Sequence, residues 1–282
     1  MLYNINDKMP VKRLMVAALQ QVIACFVATI LIPQICGLPI APAMIGAGIG
    51  TLIYQLFTRG QSPMFISSSG AFVAAITGAL AIGGAVANYA AVAIGGVIVG
   101  LIYCSIGIAI NKCGTQWINK LLPPVVIGPV VMVIGLNLAT YIPDYFKMNG
   151  HYSLTGLALG MATLGITALI SHYGKGFIKN LPFLFAILIV YGLSAIATVL
   201  GIKKIIDFSA FDGVRIIQIP DFTFLHLSFA EFEWAWIPQI LLLFAPLSLV
   251  CIAEHISDHK ALSAVIGKDL TQDPGVGHTL IS

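Results

Sequence analysis

The stretch WIPQILLLFAPLSLVCIAEHISDHKALSAVIGKDL (residues 236–270) joins a long apolar run to a cluster of ionisable side chains. The run is long enough to span a bilayer as a helix, because about 20 apolar residues cross the hydrocarbon core. Glu254, His255, Asp258 and His259 follow within six positions. An ionisable side chain at membrane depth is costly, so this cluster marks a candidate functional site.

The composition places the chain among membrane proteins. Apolar residues make up 59% of its 282 residues and charged residues 9%, whereas soluble domains carry about 25% charged residues. The net charge of +3 provides no basic surface suited to a nucleic acid. We therefore predict a protein that lies in the lipid bilayer and does not bind nucleic acid.

The apolar runs are continuous and do not alternate with polar residues, which favours membrane helices over a transmembrane barrel. The predicted fold class is therefore an all-α polytopic membrane protein. Its predicted spans are residues 14–36, 40–57, 63–82, 86–110, 123–142, 154–173, 181–200 and 237–258. Before the last span, residues 203–236 are predicted to form an extracytoplasmic loop with a short hairpin and an interfacial helix.

The basic residues predict the orientation of these spans, because cytoplasmic loops are enriched in lysine and arginine. With a cytoplasmic N-terminus, ten basic residues lie on the cytoplasmic side and four lie outside. The cytoplasmic set is Lys8, Lys12, Arg13, Arg59, Lys112, Lys120, Lys175, Lys179, Lys260 and Lys268, and the external set is Lys147, Lys203, Lys204 and Arg215. We therefore predict a multi-pass protein with its N-terminus in the cytoplasm.

The third span, SPMFISSSGAFVAAITGALAIGG (62–84), is interrupted by three serines and Gly70. Serine and glycine are poor helix formers, so one interpretation is an extended stretch that becomes helical near Gly70. Backbone groups freed by such a break are tolerated at membrane depth only where they line a cavity or meet a polar ligand. The other interpretation is a complete helix whose small residues allow close helix packing.

The ionisable cluster allows three interpretations. A metal site would use carboxylate and imidazole groups at helical spacing, but the sequence contains no HExxH motif. A helix end at the membrane surface would explain His255, His259 and Lys260. In the third interpretation, Glu254 faces a cavity, binds and releases a proton, and accepts N–H bonds from a neutral ring, with Asp258 on the same helix face.

Four motifs are distributed along the chain. They are LQQVIACFVATILIP (19–33), SSSGAFVAAI (67–76), LPPVVIGPVVMVIGLNLA (122–139) and AEHISDHKALSAVIGKDLTQDPGVGHTL (253–280). Through them the whole chain resembles the nucleobase–ascorbate transporter family, in its uracil permease branch. The last motif is the most specific of the four, because it combines AEHIxDH with the later GKDL and DPG sequences.

The resemblance implies a fold of fourteen spans in two inverted repeats of seven, with a short strand in the third span. This chain would contain the first repeat and the first span of the second. Since members of the family continue into six more spans, we expect a C-terminally truncated form. The implied division is core-domain spans 1–4 at 1–110, gate-domain spans 5–7 at 111–202, the loop at 203–236, and core-domain span 8 with a cytoplasmic segment at 237–282.

The resemblance also implies a substrate site between the third and eighth spans. Glu254 matches the glutamate that hydrogen-bonds the base, and Gly70 is the position whose backbone N–H faces the base. The other implied contacts are Ser69, Ala71, Phe72 and Ala28.

The implied proton-coupling residues are Glu254, Asp258 and Gln21. Asp258 follows Glu254 by one helical turn, at a position where the family often has histidine. The Gln-His pair of the family's first span is Gln20-Gln21 in this chain. The proton is the implied coupling ion, and no metal or other cofactor is expected.

The implied function is proton-coupled uptake of uracil or a related nucleobase across the bacterial cytoplasmic (inner) membrane, by a transporter and not an enzyme. A homodimer is one possible assembly. Two alternatives stay open: a permease for xanthine or another purine, and a membrane-embedded metalloenzyme that uses the ionisable cluster. The second would need a metal site or a nucleophile pair, and the sequence contains no nucleophile-elbow or zincin motif.

Overall fold

The computed structural model describes residues 10–84, 88–114, 117, 120, 123–148, 150–211, 220, 222 and 232–282. The α-helices in these ranges are α1 (Val11–Cys36), α2 (Ile40–Phe57), α3 (Val73–Leu80), α4 (Tyr89–Cys113), α5 (Pro124–Ala139), α6 (Ile142–Tyr145), α7 (Leu154–Tyr173), α8 (Phe177–Asn180), α9 (Pro182–Val199), α10 (Ile237–Ile266) and α11 (Val276–Ile281). Between α6 and α7, β1 (Lys147–Met148) pairs antiparallel with β2 (His151–Tyr152). Short 3₁₀ turns cover Gly70–Phe72, Phe208–Phe211 and Trp234–Trp236.

Within the described residues, six helices are long and apolar enough to cross a membrane: α1, α2, α4, α7, α9 and α10. The predicted third span instead contains the eight-residue α3, and the predicted fifth span corresponds to the 16-residue α5. The prediction of an all-α polytopic membrane protein is confirmed. The relation between two repeats of seven spans stays a prediction.

The last helix is longer than predicted. α10 runs to Ile266, whereas the predicted span ends at residue 258. The sequence from 247 to 266 contains neither glycine nor proline, so nothing in the backbone chemistry interrupts the helix earlier. It ends at Gly267, whose φ of 70° lies in the left-handed region that glycine adopts without strain.

The chain divides into two compact units. The described residues of Val27–Leu138 and Pro220–Ser282 belong to one unit, and Pro10–Phe26 and Ala139–Ile219 belong to the other. In the second unit, α7 packs against α9. The implied core and gate boundaries at residues 110, 202 and 236 stay predictions.

Two apolar clusters hold α10 in the first unit. The first joins α10 to α3 and α4, and a Cβ at Gly95 of α4 would overlap the Phe244 ring, so glycine is needed there. The second joins α10 to α4 and α11. The first cluster consists of Ala75, Ala79, Ile82, Ala91, Ile240 and Phe244, and the second of Ile110, Ile252, Ile256, Val276 and Leu280. Because helices in lipid associate through close van der Waals packing, these contacts fix α10 along its length.

The third span contains an extended segment where the resemblance implies a strand. Residues 63–69 are not helical and lie outside the β1–β2 sheet, which is the sheet formed by the described residues. Side chains of α2 bind the backbone of this segment, so it needs no strand partner. In the loop at 203–236, the predicted hairpin lies almost entirely outside the described residues, and Trp234–Trp236 form a 3₁₀ turn that leads into α10.

Candidate functional site

The third span changes conformation at Ser69 and Gly70. Ser69 is extended, with φ −96° and ψ 130°, and its Oγ accepts a hydrogen bond from the Ala71 N–H at 3.3 Å. The 3₁₀ turn Gly70–Phe72 then leads into α3. Serine favours this position because its side chain satisfies a backbone N–H that the start of a helix leaves free. The prediction of a broken span is confirmed, and the alternative of a complete helix is wrong.

Side chains of α2 bind the backbone of the extended segment. The Thr51 Oγ1 accepts a hydrogen bond from the Ile66 N–H at 3.0 Å. The Gln55 Nε2 donates to the carbonyl oxygens of Ser62 and Met64, each at 2.9 Å. Their four-residue spacing places Thr51 and Gln55 on one face of α2. Because unpaired backbone groups are costly at membrane depth, these bonds replace those that a neighbouring strand would supply.

The break in the third span contacts α10 one helical turn from Glu254. The Ser69 Oγ lies 3.6 Å from the Cys251 Sγ, and the Tyr103 hydroxyl of α4 is hydrogen-bonded to the same cysteine. Cys251 precedes Glu254 by three residues, a rise of about 4.5 Å along a helix. The Glu254 side chain is half-buried. The fold therefore places the Ser69–Gly70 turn against α10 at a residue one helical turn before Glu254.

Gly70 lies where side chains of two neighbouring helices approach the backbone closely. A Cβ at this position would lie 2.8 Å from the Leu138 Cδ1 of α5 and 3.7 Å from the Ile32 Cδ1 of α1. The predicted contact residue Ala28 is exposed and precedes Ile32 by four residues, so both lie on one face of α1. The structure thus places Ala28 on the face of α1 that approaches the break.

An apolar cavity of about 300 Å³ adjoins the break. Phe72 and Phe244 line it, with ring centroids 6.1 Å apart and ring planes inclined by 25°. Ser68 and Ser69 are the polar residues of its wall, and Glu254 does not line it. The remaining wall residues are Ile32, Pro33, Cys36, Leu38, Ala43, Ile76, Val92, Gly96 and Val99. The cavity thus contacts the turn but not the carboxylate.

A buried polar network follows Glu254 on α10. His259 is completely buried, and its Nδ1 lies 2.8 Å from the His255 carbonyl oxygen. Its Nε2 lies 3.1 Å from the Tyr54 hydroxyl and 3.4 Å from the Ser62 Oγ. The Tyr54 hydroxyl also lies 2.8 Å from the Ser62 Oγ. The His255 Nε2 lies 2.9 Å from the Thr279 Oγ1 of α11. The network therefore joins α2, the extended segment, α10 and α11.

The interpretation of His255 and His259 as residues of a helix end is wrong, and their place at the membrane surface stays a prediction. His259 is covered and His255 is half-buried, because α10 continues to Ile266 and both α2 and α11 contact this face. The sequence contains a signal for this burial. His259 continues the spacing of the buried Ile252 and Ile256 at positions i, i+4 and i+7, which lie on one helix face.

Sequence reasoning missed every polar partner of the extended segment and of the two histidines. Thr29 of α1 is buried, and its Oγ1 lies 2.8 Å from the Ser67 Oγ. The other missed partners are Thr51, Tyr54, Gln55, Ser62, Tyr103, Cys251 and Thr279. Thr29 and Thr279 lie within two of the quoted motifs, but no motif assigns a contact to any of these side chains. Only their faces in the fold reveal what they contact.

The two remaining proton-coupling candidates are exposed. Asp258 follows Glu254 by four residues on the same helix face, and its side chain is exposed. Gln21 lies in the second compact unit, where its Nε2 is 3.2 Å from the Cys25 Sγ. Their roles stay predictions.

The described residues offer no ligand cluster for a metal ion, since no three of their His, Cys, Asp and Glu side chains lie close enough together to hold one. The rings of His255 and His259 pack against each other with centroids 4.2 Å apart. Both ring nitrogens of His259 already have protein partners. The two histidines of the ionisable cluster are therefore engaged in contacts within the protein.

Comparisons with known proteins agree with the motifs. A model described as "Permease family" matches residues 12–282. The chain is 35% identical to the uracil permease of Bacillus caldolyticus over 281 residues, 99% of this chain and 62% of that protein. It is 33% identical to the uracil permease of Bacillus subtilis (strain 168), over 94% of this chain and 59% of the relative. It is 31% identical to the uracil permease of Escherichia coli (strain K12), over 99% of this chain and 61% of the relative.

The chain spans about six-tenths of the length of these curated relatives. The family match covers the broken third span, Glu254 and all four motifs that carried the resemblance. The prediction from the motifs is therefore confirmed, and the chain belongs to the Permease family of membrane transporters.

Proposed function

We propose that this protein takes up uracil across the bacterial cytoplasmic membrane together with a proton, and that the base binds between the Ser69–Gly70 turn and Glu254. The contact of the Ser69 Oγ with the Cys251 Sγ carries this proposal. This contact holds the break in the third span at a residue of α10 that lies one helical turn from the intramembrane carboxylate of Glu254. The uracil permeases among the relatives support uracil as the substrate.

The two sides of the site complement the edges of the base. Uracil is neutral and presents ring N–H donors between carbonyl acceptors. An ionised Glu254 carboxylate is an acceptor only and binds ring N–H groups through charge-assisted hydrogen bonds, which are roughly twice as strong as neutral ones. The Gly70 N–H, at the start of the 3₁₀ turn, donates to a ring carbonyl.

The protonation of Glu254 links the proton to the base. The ionised carboxylate accepts N–H bonds, whereas the protonated carboxyl group also donates one, so the two forms bind the base with different affinity. By linkage, a base held by the ionised carboxylate lowers the proton affinity of Glu254 by the same factor, so the proton that accompanies the base is carried by Asp258. Exposed Asp258, one turn further along α10, exchanges protons between Glu254 and water.

The charge distribution supports a cytoplasmic N-terminus. Ten basic residues then lie on the cytoplasmic side and four outside, in agreement with the enrichment of lysine and arginine in cytoplasmic loops. In this orientation α10 enters from the external side at Ile237, so Asp258 lies nearer the cytoplasm than Glu254 does.

Uptake of labelled uracil tests the proposal, with the protein expressed from its complete gene in bacteria that lack their own uracil transport. Uptake should rise with an inward proton gradient. Glu254→Gln replaces a charged acceptor by a neutral group that also donates. The hydrogen bond to the charged group, which contributes about 1.5–3 kcal/mol, is then lost. Uptake should therefore fall at least about tenfold. Glu233→Gln, at an exposed glutamate before α10, is the matched control and should transport like wild type.

Two results would contradict the proposal. Unchanged uptake in a folded Glu254→Gln variant would remove Glu254 from the site. Competition by unlabelled xanthine equal to that by unlabelled uracil would favour the purine alternative over a uracil-selective site.

A further inference from the structure

The extended segment is attached to α10 at two points that flank Glu254. At one end, Ser69 contacts Cys251, and at the other, Ser62 and Tyr54 contact His259. Cys251 and His259 are eight residues apart, which is about 12 Å along a helix and places both on one face. The two points of attachment therefore lie on either side of Glu254 along the helix axis.

The segment is longer than the distance between these two points. Ser69 follows Ser62 by seven positions, and a fully extended chain of seven residues reaches about 23 Å, against about 12 Å between the attachment points along α10. A segment with this excess length is not fixed by one contact alone. Thr29, Thr51 and Gln55 hold the segment on α1 and α2, and the two attachments join it to α10, the helix that carries Glu254.

The hydrogen bonds at His259 define a single arrangement of its protons. The His255 carbonyl oxygen can only accept, so the His259 Nδ1 carries the hydrogen, and in the neutral ring the Nε2 accepts from a hydroxyl. The Tyr54 hydroxyl donates its hydrogen to the Ser62 Oγ, so the hydroxyl that donates to the neutral Nε2 is that of Ser62. A fully satisfied network of this kind fixes the positions of its side chains relative to one another, whereas an apolar residue in place of His259 would only fill the space.

We propose that His259 is a positioning residue for the base site: through Tyr54 and Ser62 it fixes the extended segment on α10, and so sets the separation of the Gly70 N–H from Glu254. The inference rests on the proposed uracil site for its effect on binding. The attachment itself is independent of any ligand, so the two can be tested separately.

The first measurement needs no ligand. In a Ser69→Cys variant, the new thiol faces the natural Cys251. The rate at which the two cysteines form a disulfide on oxidation reports their separation, because a disulfide forms only within narrow limits of geometry. Adding His259→Leu should slow the cross-link at least about fivefold. His278→Leu is the matched control, because the His278 Nε2 also contacts α2, at the Phe57 carbonyl oxygen, but does not contact the extended segment. It should leave the rate unchanged.

The second measurement is the uracil Kd of the purified, folded protein with Ser69 intact. His259→Leu should raise the Kd at least about tenfold, whereas His259→Gln, which keeps a polar atom near the position of Nε2, should stay within about threefold of wild type. His278→Leu should not change the Kd. A purely structural role of His259 would lower the melting temperature of His259→Leu but leave the Kd of the folded fraction unchanged.

Each outcome decides the proposal. Normal cross-linking and a normal Kd in His259→Leu would overturn it. If that variant does not fold, Tyr54→Phe and Ser62→Ala, which each remove one hydroxyl, must slow the cross-link, and unchanged rates in both would overturn it equally. A wild-type protein that does not bind uracil, combined with a slow cross-link in His259→Leu, would refute the proposed function and still support the attachment.

Discussion

Gln55→Leu tests whether α2 holds the extended segment in place. The substitution removes two hydrogen bonds of 2.9 Å, to the carbonyl oxygens of Ser62 and Met64. A carbonyl that stays buried without a partner costs about 1–3 kcal/mol. Because both bonds are only partly buried, we take about 1–2 kcal/mol for each, or about 2–4 kcal/mol together. At about 1.4 kcal/mol for each factor of ten, local opening of the segment should increase about 30-fold to 700-fold.

Hydrogen exchange followed by mass spectrometry measures this opening directly, because amides in a segment exchange at a rate set by its local opening free energy. Peptides that cover residues 61–69 should exchange faster in Gln55→Leu by the predicted factor. Peptides from α10 should exchange as in wild type. Gln34→Leu, at an exposed glutamine near the end of α1, is the matched control and should leave both sets of peptides unchanged.

Exchange of residues 61–69 within about threefold of wild type in Gln55→Leu would refute this reasoning, since about threefold corresponds to only about 0.7 kcal/mol. Faster exchange throughout the chain would also refute it, because it would show a loss of global stability and not a local release of the segment.

Three further predictions concern other parts of the chain. Asp258→Asn should keep uracil binding but flatten the pH profile of uptake, and a wild-type profile would exclude it from the proton path. Gly277→Ala places a Cβ 2.7 Å from the Gly107 carbonyl oxygen and should destabilise the protein by about 1–3 kcal/mol, seen as a lower melting temperature; Gly165→Ala, with nothing within 4 Å, is its control and should not lower it. Cys113, exposed at the end of α4, should react with a membrane-impermeant maleimide only after permeabilisation, and labelling in intact cells would reverse the proposed orientation.

Six of the eight predicted spans correspond to helices long and apolar enough to cross a membrane, and the break was one of two interpretations of the third span, because these features depend on local properties of the sequence. A run of about 20 apolar residues can span a bilayer whatever its neighbours are, and the serine run before Gly70 disfavours a helix wherever it occurs. The end of α10 was not predicted, because charged residues at 258–260 looked like a membrane boundary. The helix instead continues to the glycine that caps it.

The sequence also identified Glu254, Ser69 and Gly70 as site candidates, and their roles stay predictions. The fold places Ser69 against Cys251, three residues before Glu254. It could not identify the role of His259. An i, i+4 histidine pair fits a metal site, a membrane boundary or a buried network equally well, and the choice depends on which helices cover that face.

The sequence alone determined the membrane-embedded, helical architecture and the family, because these depend on apolar run length and on motifs read along the chain. The residues of the third span left a broken and a complete helix both open, and the break was implied only by the family resemblance. Only the tertiary structure decided which side chains hold the break. Tyr54 and His259 lie 205 positions apart in sequence, and Ser69 and Cys251 lie 182 apart. Each of these contacts depends on how α2 and α10 are rotated about their axes, and that rotation is set by the packing of whole helices and not by any local pattern.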